Sequence, residues 1–164
     1  MFLQNLKGLI IRAKVAAKER PYPKRKKLGM KKCGDNCTMC PYVLEGKSIK
    51  INNVDWKINQ DLNCKSFNVI YAVLCSKENC KEVYIGETKR FLKFRIDDHR
   101  GYVNNSINKA TGSHFNQPGH CLGNMKITAI EQIKKKNDSE YRKEREEYFI
   151  RKFNTVYKGM NRKY

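Results

Sequence analysis

Two short apolar runs, Val69–Leu74 and Val83–Ile85, flank a polar turn at Ser76–Asn79. β-Branched and aromatic residues on both sides of such a turn predict a β-hairpin. Each strand carries a tyrosine, Tyr71 on the first and Tyr84 on the second. Gly86 predicts the end of the second strand. A basic helix follows, on which Arg95 and His99 share a face because they lie four residues apart. Further on, Lys126–Ile133 sets Ile127, Ala129 and Glu131 against Thr128, Ile130 and Gln132, the alternation of a third strand. Asn137-Asp138-Ser139 reads as a turn and helix start. Glu140 to about Phe153 reads as a charged amphipathic helix with Tyr141, Arg145, Tyr148 and Phe149 near one face. Gly159-Met160-Asn161 falls in a return loop.

The N-terminal half is patterned differently. Leu3, Leu6, Leu9, Ile10 and Val15 recur at helical spacing, and Pro21 and Pro23 stop that helix. Its apolar face either packs on a preceding domain or serves a phosphate-contacting or docking helix. Lys24, Arg25, Lys26 and Lys27, then Lys31 and Lys32, form a basic run. It reads as an import signal, a phosphate contact or a solvated linker. Ser48–Ile51 and Val54–Ile58 predict a small hairpin around Asn52-Asn53. The segment from 33 to 64 has too little apolar content for a core of its own.

Charge then narrows the partner. The 164 residues carry 35 basic and 16 acidic side chains, a formal net charge of +19. Such a balance points to a polyanion, most simply nucleic acid. Lys89, Arg90 and Arg100, with Lys24–Lys27, are the expected DNA contacts. No apolar run approaches the roughly 20 residues that cross a bilayer, so no membrane partner is expected. Lys7, Arg12 and Lys14 interrupt the apolar residues at the N-terminus, which excludes a signal peptide from the expectation. Seven cysteines without a secretory signal point to metal sites rather than disulfides, in a nuclear or cytosolic compartment.

The cysteines fall into two sets. Cys33, Cys37 and Cys40 follow a C-x3-C-x2-C pattern suited to tetrahedral Zn²⁺, with Cys64 the natural fourth ligand across a long gap. Metal binding could supply the folding free energy that this segment lacks. The plainer reading is partly buried thiols. Cys75 and Cys80 flank the main hairpin turn, and His114 and His120 follow downstream. Two cysteines and two histidines are a common structural zinc set, which would pin the loop at 111–120 against the hairpin tip. Cys121 adjoins His120 and is an alternative ligand. Surface or DNA-facing histidines are the other reading.

NVIYAVLC followed by EVYIGETKRFLKFRIDDH resembles the GIY-YIG nuclease signature. Val69-Ile70-Tyr71 departs from the name-giving glycine, whereas Tyr84-Ile85-Gly86 matches fully, with Thr88, Arg95 and His99 at family spacing behind it. SHFNQPGHCLGNMKITAIEQI and REEYFIRKFNTVYKGMN resemble the endonuclease domain of Penelope-like retroelements, and NLKGLIIRAKV and CGDNCTMC resemble the linker after their reverse transcriptase core. The resemblance implies an α/β (α+β) fold, a small, mainly antiparallel three-stranded sheet flanked by helices. It implies a basic helix and linker over 1–32, a zinc-binding segment over 33–65 and the nuclease domain over 66–164.

By the same resemblance Glu146 is the catalytic glutamate that holds Mg²⁺ or Mn²⁺, and Asn161 the C-terminal asparagine. Only the register Arg145-Glu146-x-x-Phe149-Ile150 separates Glu146 from Glu144 and Glu147. Phe149 and Tyr157 stand where the group commonly has tryptophan and proline. The implied chemistry is hydrolysis of a DNA phosphodiester. Arg95 holds a non-bridging oxygen, Tyr71 or Tyr84 accepts a proton from water, and His99 assists transfer or orients a hydroxyl. The chain looks like the C-terminal part of such an element, or a remnant expressed separately, with a reverse transcriptase domain and element RNA as expected partners. The competing expectations are a non-catalytic zinc-dependent binding module and a structure-specific repair or junction nuclease.

Overall fold

The computed structural model describes residues 27–34, 36–134 and 139–162. The expected basic helix, Lys24, Arg25, Lys26 and the turn residues Asn137 and Asp138 lie outside them. The described elements run β1 (Gly29–Met30), β2 (Ser48–Ile51), β3 (Val54–Lys57), β4 (Asp61–Leu62), β5 (Val69–Cys75), β6 (Val83–Thr88), α1 (Leu92–Asn104), α2 (Ala110–Phe115), β7 (Met125–Gln132) and α3 (Ser139–Phe153). Short 3-10 turns occupy Cys40–Tyr42 and Leu122–Asn124.

β5 is the centre of an antiparallel sheet in the order β6-β5-β7. Its residues Val69–Val73 are all buried because both faces of the sheet are covered. Val69, Tyr71 and Val73 pack with Leu92, Ile96 and Val103 of α1 and Phe115 of α2. Ile70 and Ala72 pack on the other face with Phe149, Ile150 and Phe153 of α3. The fold is therefore the expected α/β arrangement, with antiparallel strands between helices.

Two local expectations need correction. Gly86 does not end its strand, since β6 continues to Thr88. Gly86 pairs with Tyr71, and a Cβ there would lie 2.5 Å from the Tyr71 hydroxyl. The glycine makes room for the phenol of the neighbouring strand. Nor does β7 keep strict alternation. Its register with β5 slips between Ile70 and Tyr71, so Ala129 faces Tyr71 while Glu131 faces Ile70. That β-bulge turns both Ile130 and Glu131 toward α3, where Arg145 Nε donates to Glu131 Oε2 at 2.8 Å. On α3, Arg145, Tyr148 and Phe149 lie together as expected, and the buried residues are Arg142, Phe149, Ile150 and Phe153. Tyr141 and Tyr148 stay on the surface, and the Arg145 guanidinium covers the Tyr148 ring at 4.4 Å.

The segment before β5 wraps the sheet. β2 and β3 form the expected hairpin, with Asn52 and Asn53 at φ 47° and 68°, the left-handed pair of a two-residue turn. Ile49 and Ile51 join the α3-side core, and Trp56 meets Phe149 edge to face at 4.9 Å. Asn52 Nδ2 donates to the Phe153 carbonyl at 2.7 Å, which ties the turn to the end of α3. On the other side the cysteine loop reaches β7, where Leu44 N–H donates to the Ile127 carbonyl at 2.8 Å. The backbone N–H groups of Leu92 and Lys93, in the first turn of α1, donate to the carbonyls of Ser66 at 2.8 Å and Cys64 at 2.9 Å. The cysteine segment thereby caps the helix that carries Arg95 and His99. Among the described residues no helix is long and apolar enough to cross a membrane.

Candidate active site and metal clusters

Tyr71 stands on the central strand with its side chain fully buried. Its hydroxyl accepts from Arg95 Nε at 2.7 Å and lies 3.0 Å from His99 Nε2. His99 Nδ1 meets Thr111 Oγ1 of α2 at 2.8 Å. Burial, then the Arg95 charge, holds the His99 pKa down to about 3, so the imidazole is neutral. A consistent proton arrangement follows. Tyr71 accepts from Arg95 and donates to Nε2, and Nδ1–H donates to Thr111. Burial pushes the Tyr71 phenol well above its ordinary pKa, so it keeps that proton.

Arg95 continues the row, with Nη1 donating to the Tyr102 hydroxyl at 3.2 Å and to Asp98 at 3.4 Å. Tyr84, Arg95, His99 and Glu146 then line one open cavity of about 460 Å³, with Lys109 and Arg162 also on its wall. Tyr71 lies behind this wall, whereas Tyr84 is partly exposed and faces the cavity, as does Tyr102. Burial raises the Tyr84 pKa, against the pull of Arg95.

The three glutamates of α3 separate clearly. Glu144 is exposed, and Glu147 pairs with Arg151 at 2.6 Å. Glu146 lines the cavity and makes no ion pair within 4 Å among the described residues. Burial and then repulsion from Glu87 raise its pKa to about 7, while the Glu87 backbone N–H and Arg95 lower it. A half-buried carboxylate that ionises so reluctantly fits a divalent cation, which would compensate its charge. Glu87 itself is engaged by Arg142, which also donates to Asn68 Oδ1 at 2.8 Å. Arg142 is buried, so Arg142→Ala strands Glu87 beside Glu146 and is expected to cost roughly 3 kcal/mol. Denaturant unfolding checks this, and a cost under about 1 kcal/mol would contradict it.

Asn161 lines the same cavity, yet its amide is used on β6. Oδ1 accepts from Ile85 N–H and from the Thr155 hydroxyl, both at 2.8 Å, and Nδ2 donates to the Ile85 carbonyl at 2.9 Å. It holds the strand between Tyr84 and Gly86, a positioning task rather than contact with reacting atoms. Arg100 lies away from the cavity, bonded to Asp97 at 3.0 Å and over the Tyr42 ring at 5.4 Å. Its guanidinium joins α1 to the cysteine loop instead of facing outward for DNA. Lys27, Lys89 and Arg90 are exposed, the last bonded to Asp98.

Both sulfur-bearing sets converge. The thiols of Cys33, Cys37, Cys40 and Cys64 all lie within 4.8 Å of one another. Cys33 and Cys40 Sγ are 3.8 Å apart, and Cys40 and Cys64 Sγ 3.7 Å. Tetrahedral zinc with Zn–S of about 2.3 Å requires a spacing of about 3.8 Å. Burial and the neighbouring thiols push the Cys64 thiol up, a cost that a bound cation would reverse. Cys75, Cys80, His114 and His120 likewise bring their ligand atoms within 4.8 Å. Both His120 ring nitrogens are buried without a hydrogen-bond partner among the described residues, the condition expected of a metal ligand. Burial, His120 and Lys77 lower the His114 pKa to about 4, which leaves it neutral and able to ligate. Cys121 is not in this set. It is exposed, and its thiol donates to Asn124 at 3.4 Å in the next turn. The segment expected as a loop at 111–120 instead starts as α2.

Sequence reasoning missed Thr111, Tyr102, Glu87, Arg142, Lys109 and Arg162. Tyr102 was within reach, because 95, 99 and 102 follow one helical stripe. The others act across elements, where no local spacing marks them.

A neutral histidine, a guanidinium and an unpaired carboxylate around one basic cavity suit the splitting of a phosphodiester, with the hydroxyl of Tyr84 beside them. A family comparison agrees: the model of the GIY-YIG catalytic domain matches residues 67–161. The chain belongs to the GIY-YIG family and is an endonuclease, a phosphodiester hydrolase that takes DNA as substrate. No curated protein and no solved structure matches the chain.

Proposed function

We propose that this endonuclease nicks duplex DNA with one Mg²⁺ or Mn²⁺ at Glu146, as the nuclease of a Penelope-like retroelement. The nick would expose a 3′ end from which a reverse transcriptase primes on element RNA in the nucleus. Supporting the chemistry is one observation above others: Glu146 meets Tyr84 and Arg95 at a single cavity without an ion pair of its own. A bound hard cation would supply charge to the phosphate and to the leaving oxygen.

The chain's own residues supply the rest. Arg95 is fixed through Nε by Tyr71 and through Nη1 by Tyr102 and Asp98, so its charge is already aimed when a non-bridging oxygen gains charge. Tyr84 is the tyrosine placed to take a proton from the attacking water as the P–O3′ bond breaks and the 3′ oxygen leaves. Its raised pKa means it needs the nearby cations to do so. Tyr71 orients Arg95 from behind the cavity wall, and His99 holds the Tyr71 hydroxyl. Cys33, Cys37, Cys40 and Cys64 would hold one zinc ion beside α1, and Cys75, Cys80, His114 and His120 a second at the hairpin tip.

Two comparisons test this. Tyr84→Phe is expected to slow nicking by roughly 10²–10⁴-fold. Tyr71→Phe keeps the ring and removes only the orienting hydroxyl, so a smaller loss is expected. The reverse order would reassign the base. Relaxed duplex, flaps and junctions, offered with Mg²⁺ and with Mn²⁺, separate the retroelement reading from a junction nuclease. Nicked duplex with an extendable 3′ hydroxyl supports the former, and cleavage of branched DNA alone contradicts it.

A further inference from the structure

We propose that the outer side of α1 and the loops beside it form a second nucleic-acid site, one that binds the unpaired bases of a single strand. Phe67, Phe91 and Phe94 are 48%, 44% and 46% exposed, and none of them belongs to either core. They form a continuous surface. The rings of Phe67 and Phe91 meet edge to face at 5.9 Å, and those of Phe91 and Phe94 lie 6.2 Å apart. Burial explains the other phenylalanines of the described residues, and it does not explain these three.

The cations around the rings indicate the ligand. Lys93 Nζ sits 5.0 Å from the Phe94 ring centre, and exposed Lys65 and Lys89 flank Phe67 and Phe91 in the chain. Phe94, Lys93 and Lys65 also line a cleft of about 520 Å³ whose opposite wall is Cys33, Gly34 and the stretch from Asn36 to Met39. Among the described residues Asp97 is the acidic group on that cleft, and Arg100 neutralises it at 3.0 Å. Aromatic faces interleaved with lysines match a single strand, which offers base faces for stacking and phosphates for the cations. A duplex hides its base faces, and a protein partner would call for an apolar patch less crowded with lysine.

The placement links this surface to the nuclease. Phe94 precedes Arg95 by one residue, so the two side chains leave α1 about 100° apart, one outward and one into the cavity. An unpaired segment would lie across the helix from the cut. Binding there is independent of whether the cavity cleaves.

The test measures affinity for a fluorescent single-stranded DNA and for a duplex of the same sequence. It compares the native protein, Phe91→Ala/Phe94→Ala and Phe91→Tyr/Phe94→Tyr, matched in metal content and thermal unfolding. Loss of the rings is expected to weaken single-strand binding by about ten-fold or more and to alter duplex binding little. The tyrosine pair, which keeps the ring faces, is expected to restore it. A 2-aminopurine base in the strand should be quenched by the native protein and less by the alanine pair. Unchanged single-strand affinity in the alanine pair overturns the proposal. So does a change in oligomeric state with single-strand affinity unaltered, which would assign the rings to a second copy of the chain.

Discussion

Replacing Glu146 with glutamine is expected to reduce DNA nicking by about 10³-fold or more while duplex affinity holds. The carboxylate is the hard ligand of the proposed cation, and losing several kcal/mol of charge stabilisation lowers the rate by that order. The pH behaviour should change with it. Burial and Glu87 raise the Glu146 pKa from 4.5 to about 7. A cation must therefore displace a proton below pH 7, and nicking at subsaturating Mg²⁺ should fall about ten-fold per pH unit below that value. The same shift predicts the stability of the metal-free protein. Because the folded pKa is raised, ionisation costs stability as pH climbs from about 4.5 to about 7. Glu146→Gln removes the cost and should gain on the order of 1 kcal/mol at pH 8 after solvent screening, with no gain at pH 4. Lost activity with gained stability separates this outcome from simple misfolding. Equal nicking by both proteins would mean that the cation has another ligand.

Cys64→Ser is expected to have the larger effect on the fold. Serine nearly preserves the volume, so without a metal the exchange would cost only the roughly 1–3 kcal/mol of a buried hydroxyl. With zinc at the four thiols it removes a soft ligand from a site worth several kcal/mol of folding free energy. The loss should exceed about 5 kcal/mol and reach the active site. The Cys64 carbonyl accepts the Lys93 N–H in the first turn of α1, and Arg95 follows two residues later. Metal analysis should find one zinc fewer than in the native protein, and a strong chelator, which strips both clusters, should bring the native protein to an unfolding midpoint at or below that of the variant. A variant that loses no more than the cost of a buried hydroxyl, with unchanged metal content, would show that the thiols are only packed together.

How far the sequence could be read depends on which contacts are local. The β5–β6 hairpin, the strand at β7 and the β2–β3 turn at Asn52-Asn53 follow from patterns a few residues long. Arg95 and His99 could be paired because helix geometry alone puts them on one face. Glu146 is different: neighbouring glutamates have the same composition, and only the surface at Glu144, the Arg151 pair at Glu147 and the cavity at Glu146 distinguish them. Thr111 reaches His99 from a separate helix, and Arg142 reaches Glu87 across the sheet, so no spacing announces either. Gly86 misled because a glycine in a strand marks either an end or a close approach. The ring of Tyr71, on a neighbouring strand, decides which. The bulge in β7 was equally silent, since it is set by pairing with β5.

Plasmid nicking with Mg²⁺ or Mn²⁺ tests the central claim most directly, comparing the native chain with Glu146→Ala at equal zinc content and equal DNA binding. The account predicts nicked circles from the native protein alone, none when the divalent cation is withheld, and none from the variant. Tight DNA binding with no nicking by the native protein under either metal would contradict it.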